Sequence, residues 1–218
     1  QIISYDLVIN YQKLISVKIA DLLLGEPPKI TAGDEDSKEW NATSLILENT
    51  DLLNTAYEAV IDVSRFGDGL FYIYKDTDGK GQIDITQPAM WFPVVSEDNV
   101  KKILYHVLAW QVDMGNNVTH LKVQIHDKGF YYDREYLLDG KKYILKQVRP
   151  EKRVTTGLND FAIVQASNLI TSDRVTGFDD YTDIDSVISE ILVRCSQIAR
   201  VLDKHADPGL QGPYGAME

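Results

Sequence analysis

Apolar residues Leu14, Ile15, Ile19, Leu22 and Leu23 recur near a 3.6-residue period, and Gly25, Pro27 and Pro28 close the run. This spacing predicts a helix over residues 10–24 with an abrupt stop. Residues 31–41, with Ala-Gly-Asp-Glu-Asp-Ser-Lys-Glu at their centre, have no period and read as an exposed loop. Leu52, Leu53, Ala56, Tyr57, Val60 and Val63 then return to one face, which predicts a second helix over 50–66 ended by Gly67 and Gly69.

Downstream the pattern changes. Stretches 70–74, 82–86, 91–95, 103–112, 118–125, 130–138 and 143–148 are rich in β-branched and aromatic residues and read as strands. Between them lie Asp78-Gly79, Gly115-Asn116-Asn117, Lys128-Gly129 and Asp139-Gly140, residue types that tolerate the positive φ of tight hairpins. The expectation is an antiparallel meander, since such short connections leave no room for parallel crossovers. The last strong pattern is helical. Over 182–205, Ile184, Val187, Ile188, Ile191, Cys195, Ile198, Ala199 and Leu202 form one stripe, with Asp183 and Asp185 near the start and Arg200, Lys204 and His205 near the end. Thr182 and Asp185 have the spacing of a capping box. A Gly/Pro-rich tail covers 207–218.

Composition narrows the class. In 218 residues, 44% are hydrophobic and 25% charged, enough for an ordered body with a real core. The net charge of −11 argues against a broad surface for gripping phosphates. Cys195 is the single cysteine, so neither a disulfide framework nor a cysteine-built metal site is available. No apolar run reaches the roughly 18–20 residues that span a bilayer, and no membrane partner is expected. The chain starts at Gln1 and ends in Gly-Ala-Met-Glu, which reads as a fragment.

Candidate chemistry is sparse. Asp76-Thr77-Asp78-Gly79-Lys80-Gly81 imitates the start of a calcium loop, but Lys80 stands in place of an oxygen ligand and Gln87 in place of the bidentate Glu, so a hairpin turn is expected. His106, His120, His126 and His205 follow no zinc-ligand pattern, although His120 and His126 share a strand face by parity. Cys195, on an apolar stripe, reads as a small buried hydrophobe. Asp179, Asp180, Asp183 and Asp185 are explained by helix capping and solvation. Lys141, Lys142, Lys146, Arg149, Lys152 and Arg153 form a local basic cluster that reads as a solvated hairpin or as a contact for protein or nucleic acid. No phosphate loop, dinucleotide fingerprint or nucleophile elbow is present. Thus no catalytic, cofactor-binding or metal-binding residue is assigned, and no cofactor is expected.

Three segments, in order, resemble the portal proteins of tailed bacteriophages, in the siphovirus-like lineage of Gram-positive hosts. They are the helix ending in Leu22-Leu23-Leu24-Gly25-Glu26-Pro27-Pro28-Lys29-Ile30; the helix over 57–64 followed by Gly67-Asp68-Gly69-Leu70-Phe71-Tyr72-Ile73-Tyr74 and Pro88-Ala89-Met90-Trp91-Phe92-Pro93-Val94; and Asn159-Asp160-Phe161-Ala162-Ile163-Val164 with Gly177 and Thr182-Asp183-Ile184-Asp185-Ser186-Val187-Ile188. The resemblance implies an α+β fold: a wing-type domain over 1–181 with an antiparallel β meander packed against several helices, a long helix over 182–206 leading toward the stem, and a truncated tail over 207–218. It implies a non-enzymatic subunit that forms a ring, typically of twelve copies, at one capsid vertex of the virion, assembled in the host bacterial cytoplasm. The implied partners are the terminase motor, the major capsid and scaffolding proteins, head-completion or adaptor proteins, and double-stranded DNA in transit. An acidic tunnel wall would let polyanionic DNA slide past. The fragment, ending before the inner ring elements, is expected to be a monomer or weak oligomer. Two rival classes are a metal-dependent hydrolase using the Asp-rich loops and a generic protein-binding module.

Overall fold

The computed structural model describes residues 9–34, 36–139 and 144–206, the side chains of residues 139, 144, 145 and 206 excepted. The expected turn at Gly140, the strand residue Tyr143, Lys141 and Lys142, and the tail over 207–218 lie outside the described residues. The fold is α+β with antiparallel sheets and a C-terminal helix.

Helix α1 (Tyr11–Leu24) starts where Asn10 Oδ1 accepts the amide of Lys13 at 2.8 Å, and it ends ahead of Gly25 as its spacing predicts. Helix α2 (Lys38–Thr50) corrects the expectation of a loop over 31–41. Ser37 caps it, its Oγ accepting the Trp40 amide at 3.0 Å, and this ordered start cuts into the run that had no hydrophobic period. Asp51 takes a left-handed backbone (φ 50°) and separates α2 from α3 (Leu52–Phe66) in a single residue. Gly67 closes α3 at φ 83°, donating its amide to Val63 O at 2.9 Å.

The expected single meander is two sheets. The larger one runs β3 (Trp91–Ser96), β4 (Asn99–Asp113), β5 (Thr119–Asp127) and β6 (Phe130–Asp139), with β7 (Ile144–Gln147) and β8 (Lys152–Thr155) pairing successive stretches of β6. This part is a meander. The first two strands, β1 (Asp68–Lys75) and β2 (Gly81–Thr86), belong instead to a three-stranded sheet completed by β9 (Ile163–Ser167), which pairs β1 in the register Leu70↔Gln165. The helices serve this smaller sheet, with α3 on β1 and β2 and α2 on β2.

The hairpin turns follow their residue types. Gly79, Gly115, Asn116, Asn117 and Gly129 all have positive φ. Helix α4 (Asp185–Ala206) begins three residues later than the spacing suggested, because the amides of Ile184 and Asp185 first close a turn on Tyr181 O.

The chain divides into two compact units. One holds residues 15–180, and its core joins the sheets: Leu70 and Ile163 from the smaller meet Trp91 and Leu108 from the larger, flanked by Tyr72, Ile103 and Trp110. Burying such side chains stabilises by about 1.5–3 kcal/mol each. The other holds, among the described residues, 9–14 and 181–206, where Tyr181 donates its hydroxyl to Gln12 O at 3.1 Å and Gln12 Nε2 donates to Asp185 at 3.0 Å.

Candidate functional site

The strand register brings His106 and His126 opposite each other on β4 and β5, with Tyr131 next across on β6. Both imidazoles are buried, His126 completely. Trp91 Nε1 donates to His106 Nδ1 at 3.0 Å, and Phe161 meets the His106 ring edge-on at 4.8 Å. His126 stacks on Tyr131 at 4.8 Å and meets Tyr72 edge-on at 5.5 Å. Its Nδ1 has no hydrogen-bond partner, and Nε2 lies 3.3 Å from Gln124 Oε1. Desolvation holds both imidazoles at a pKa of about 4, and it pushes the Tyr72 phenol to about 12. At neutral pH the pair is therefore an uncharged part of the joint between the sheets.

His120 shares the strand face of His126, as parity predicts, but serves a different network. Glu135 lies 2.7 Å from His120 Nδ1 and receives Arg149 Nε at 2.9 Å, while Arg149 Nη2 reaches Asp133 at 2.9 Å. The hydrogen bond from His120, aided by the Arg149 charge, holds the Glu135 carboxyl below its usual range. On the opposite face of β6 Arg134 pairs with Glu151, so the link between β7 and β8 is fastened from both sides. Arg153 lies 3.9 Å over the Phe130 ring. Of the described basic cluster, Arg149 and Arg153 are thus engaged within the molecule, while Lys146 and Lys152 are exposed.

The calcium-like segment is a turn. Asp76 Oδ1 accepts the amides of Asp78 at 2.9 Å and Lys80 at 2.8 Å, and Oδ2 accepts Gln82 Nε2 at 3.4 Å. These donors, that of Lys80 foremost, lower the pKa of Asp76. The acidic run divides in use: Asp180 accepts Asn168 Nδ2 at 2.7 Å, whereas Asp185 lies in the first turn of α4. At that end of the helix a carboxylate complements the dipole, and Asp185 also accepts Gln12 Nε2. Among the described residues no group of three or more His, Cys, Asp or Glu is placed to hold a metal ion, and no helix is long and apolar enough to cross a membrane. Cys195 is half-buried on its helix.

One polar centre was not legible as a site. Asp68, at the start of β1, is buried and accepts from Gln165, Ser167 and the amide of Gly177. Its only local signal is a carboxylate at the head of an apolar strand.

Among the exposed residues are several large apolar ones. On α4, Val187, Ile191, Val193, Ile198, Val201 and Leu202 are exposed. On the larger sheet, Phe92, Val94 and Tyr105 stand exposed on the face opposite Trp91 and His106. These surfaces suit packing against other protein, and the internal networks suit rigidity. No curated protein matches the chain. The family model described as phage portal protein, SPP1 Gp6-like, matches residues 6–208, nearly the whole chain, and the chain therefore belongs to that portal family.

Proposed function

We propose that this chain is the wing-type region of a portal subunit, with α4 as the helix leading toward the stem. Copies assemble side by side into a ring, typically of twelve, at one capsid vertex. The ring passes double-stranded DNA during packaging and ejection, docks the terminase motor, meets capsid and scaffolding proteins during head assembly, and later joins head-completion or adaptor proteins. The host is a Gram-positive bacterium and the phage siphovirus-like, by the resemblance of the ordered segments. In this reading residues 1–181 are the wing, 182–206 the inward helix and 207–218 a Gly/Pro-rich tail, and no residue carries out catalysis.

The observation that carries this reading is the family match over residues 6–208. The apolar residues exposed along α4 support it, because a ring built from heterologous contacts needs packing surfaces on each subunit. The net charge of −11 supports passage of DNA without tight capture. The test is electron microscopy and mass photometry of the chain expressed together with whatever sequence follows it in its gene. Closed rings with a central channel are expected. A species that stays monomeric at micromolar concentration would overturn the proposal.

A further inference from the structure

Residues 168–180 form an excursion between β9 and the second compact unit, and both ends are pinned to the last turn of α3. The Asn168 amide donates to Gly67 O and the Asp180 amide to Ser64 O, each at 2.9 Å. These carbonyls belong to the helix end, where intrahelical donors run out. Asn168 Nδ2 ties the two ends together by donating to Asp180 at 2.7 Å, and Phe178 donates to Leu169 O at 3.0 Å just inside. The segment is a strap with closed ends.

Asp68 lies beneath it. The residue is 3% exposed, and its carboxylate accepts Ser167 Oγ at 2.6 Å, Gln165 Nε2 at 2.8 Å and the Gly177 amide at 3.1 Å to each oxygen. Gln165 Nε2 also reaches Val175 O at 2.9 Å, a second tie from the same cluster to the strap. Lifting Gly177 away would remove the one N–H that both oxygens of this buried carboxylate share, leaving only the β9 donors Gln165 and Ser167, a costly half-open state. The seat is also shaped for one register. A Cβ on Gly177 would meet Gly67 O at 2.1 Å, and one on Gly67 would meet Gly177 O at 2.4 Å. Two backbones this close leave little room for a slipped arrangement.

We propose that Asp68 is a positioning residue that acts as the latch of this strap, so that residues 168–180 close and release as one unit. The closed strap fixes the path of the chain up to Asp180, the last residue before the unit that contains α4. Partial detachment is disfavoured because the end pins, the Gly67–Gly177 contact and the Asp68 hydrogen bonds share the same few residues.

Hydrogen-exchange mass spectrometry of the chain and its Asp68→Asn variant tests this. Asparagine keeps the shape but brings its own donors against those of Gln165 and Gly177. Exchange at Asn168, Gly177, Phe178 and Asp180 should accelerate together by about tenfold or more, with β4 and β5 unchanged. Acceleration at Gly177 alone, acceleration spread equally through β4 and β5, or no acceleration would each overturn the latch. If Asp68→Asn does not fold by circular dichroism, Ser167→Ala, which removes one donor, carries the test. The same strap amides should then accelerate in concert by about threefold, and tryptic cleavage after Arg174 should quicken in parallel. Unchanged exchange and cleavage in that variant would overturn the proposal.

Discussion

Trp91 donates a hydrogen bond from its indole Nε1–H to Nδ1 of His106, and this buried 3.0 Å bond assigns the imidazole's own proton to Nε2 and keeps the ring neutral. The bond ties β3 to β4 at the point where the larger sheet meets the smaller. Across the register, His126 has no such donor on Nδ1. The groups around the pair are Trp91, Phe161, Tyr72, Tyr131 and Gln124, with Asp160 the nearest acid influence on His106.

Stability should therefore fall with acid in a defined window. Both imidazoles titrate near 4 in the folded chain against an ordinary 6.5, so between these values the unfolded chain binds more protons. Their contribution is complete above pH 6.5 and is lost as pH falls toward 4, at up to about 1.4 kcal/mol per pH unit for each ring. His126→Phe should cost little at pH 7, within about 1 kcal/mol, and remove roughly half of this slope. Urea unfolding midpoints at pH 7, 5.5 and 4.5 measure it; an unchanged slope in the variant would contradict the assignment.

Arg149→Ala should be more damaging than the loss of an ordinary surface cation. It leaves Glu135 and Asp133 without their shared partner, and Glu135 is largely buried. A loss of about 1–2 kcal/mol is expected at pH 7, against under about 0.5 kcal/mol for Lys18→Ala, whose partner Asp21 is exposed. Because the carboxyl of Glu135 is held below its usual range, the Arg149 effect should shrink as pH falls through that lowered value. A double-mutant cycle with His120→Gln should show coupling through Glu135; additivity would mean that the two contacts are independent.

The turn at Asp76 should be indifferent to calcium. Both of its carboxylate oxygens already accept donors from the turn itself. Millimolar calcium should leave the thermal midpoint unchanged, while Asp76→Ala lowers it by a few degrees and Asp76→Asn by less. A calcium-dependent rise that disappears in Asp76→Ala would restore the metal reading.

Ile198→Glu separates folding from assembly. Ile198 is 59% exposed on α4, so its replacement should change unfolding free energy by no more than about 0.5 kcal/mol. In the portal reading the same change should prevent ring closure, seen as loss of the large species in mass photometry. Rings that form as readily as in the parent would show that this face of α4 is not a packing surface.

The sequence by itself determined the features that depend on neighbours a few residues away. The stops at Gly25 and Gly67, the positive-φ turns at Gly79, Gly115 and Gly129, and the apolar stripe of α4 are local, because helix ends, tight turns and helical periodicity are set by short-range sterics and hydrogen bonds. Residues 38–50 escaped because Leu45, Ile46 and Leu47 are consecutive instead of helically spaced, and the cap at Ser37 lies in a run that is otherwise polar. Only the tertiary structure decided that β1 leaves the meander to pair with β9, nearly a hundred residues downstream, since either antiparallel partner satisfies the same alternation of side chains. The same holds for the polar centres. Asp68 meets Gly177 at a separation of 109 residues, and no spacing in the chain announces a hydrogen bond whose donor is a backbone amide on a distant strap.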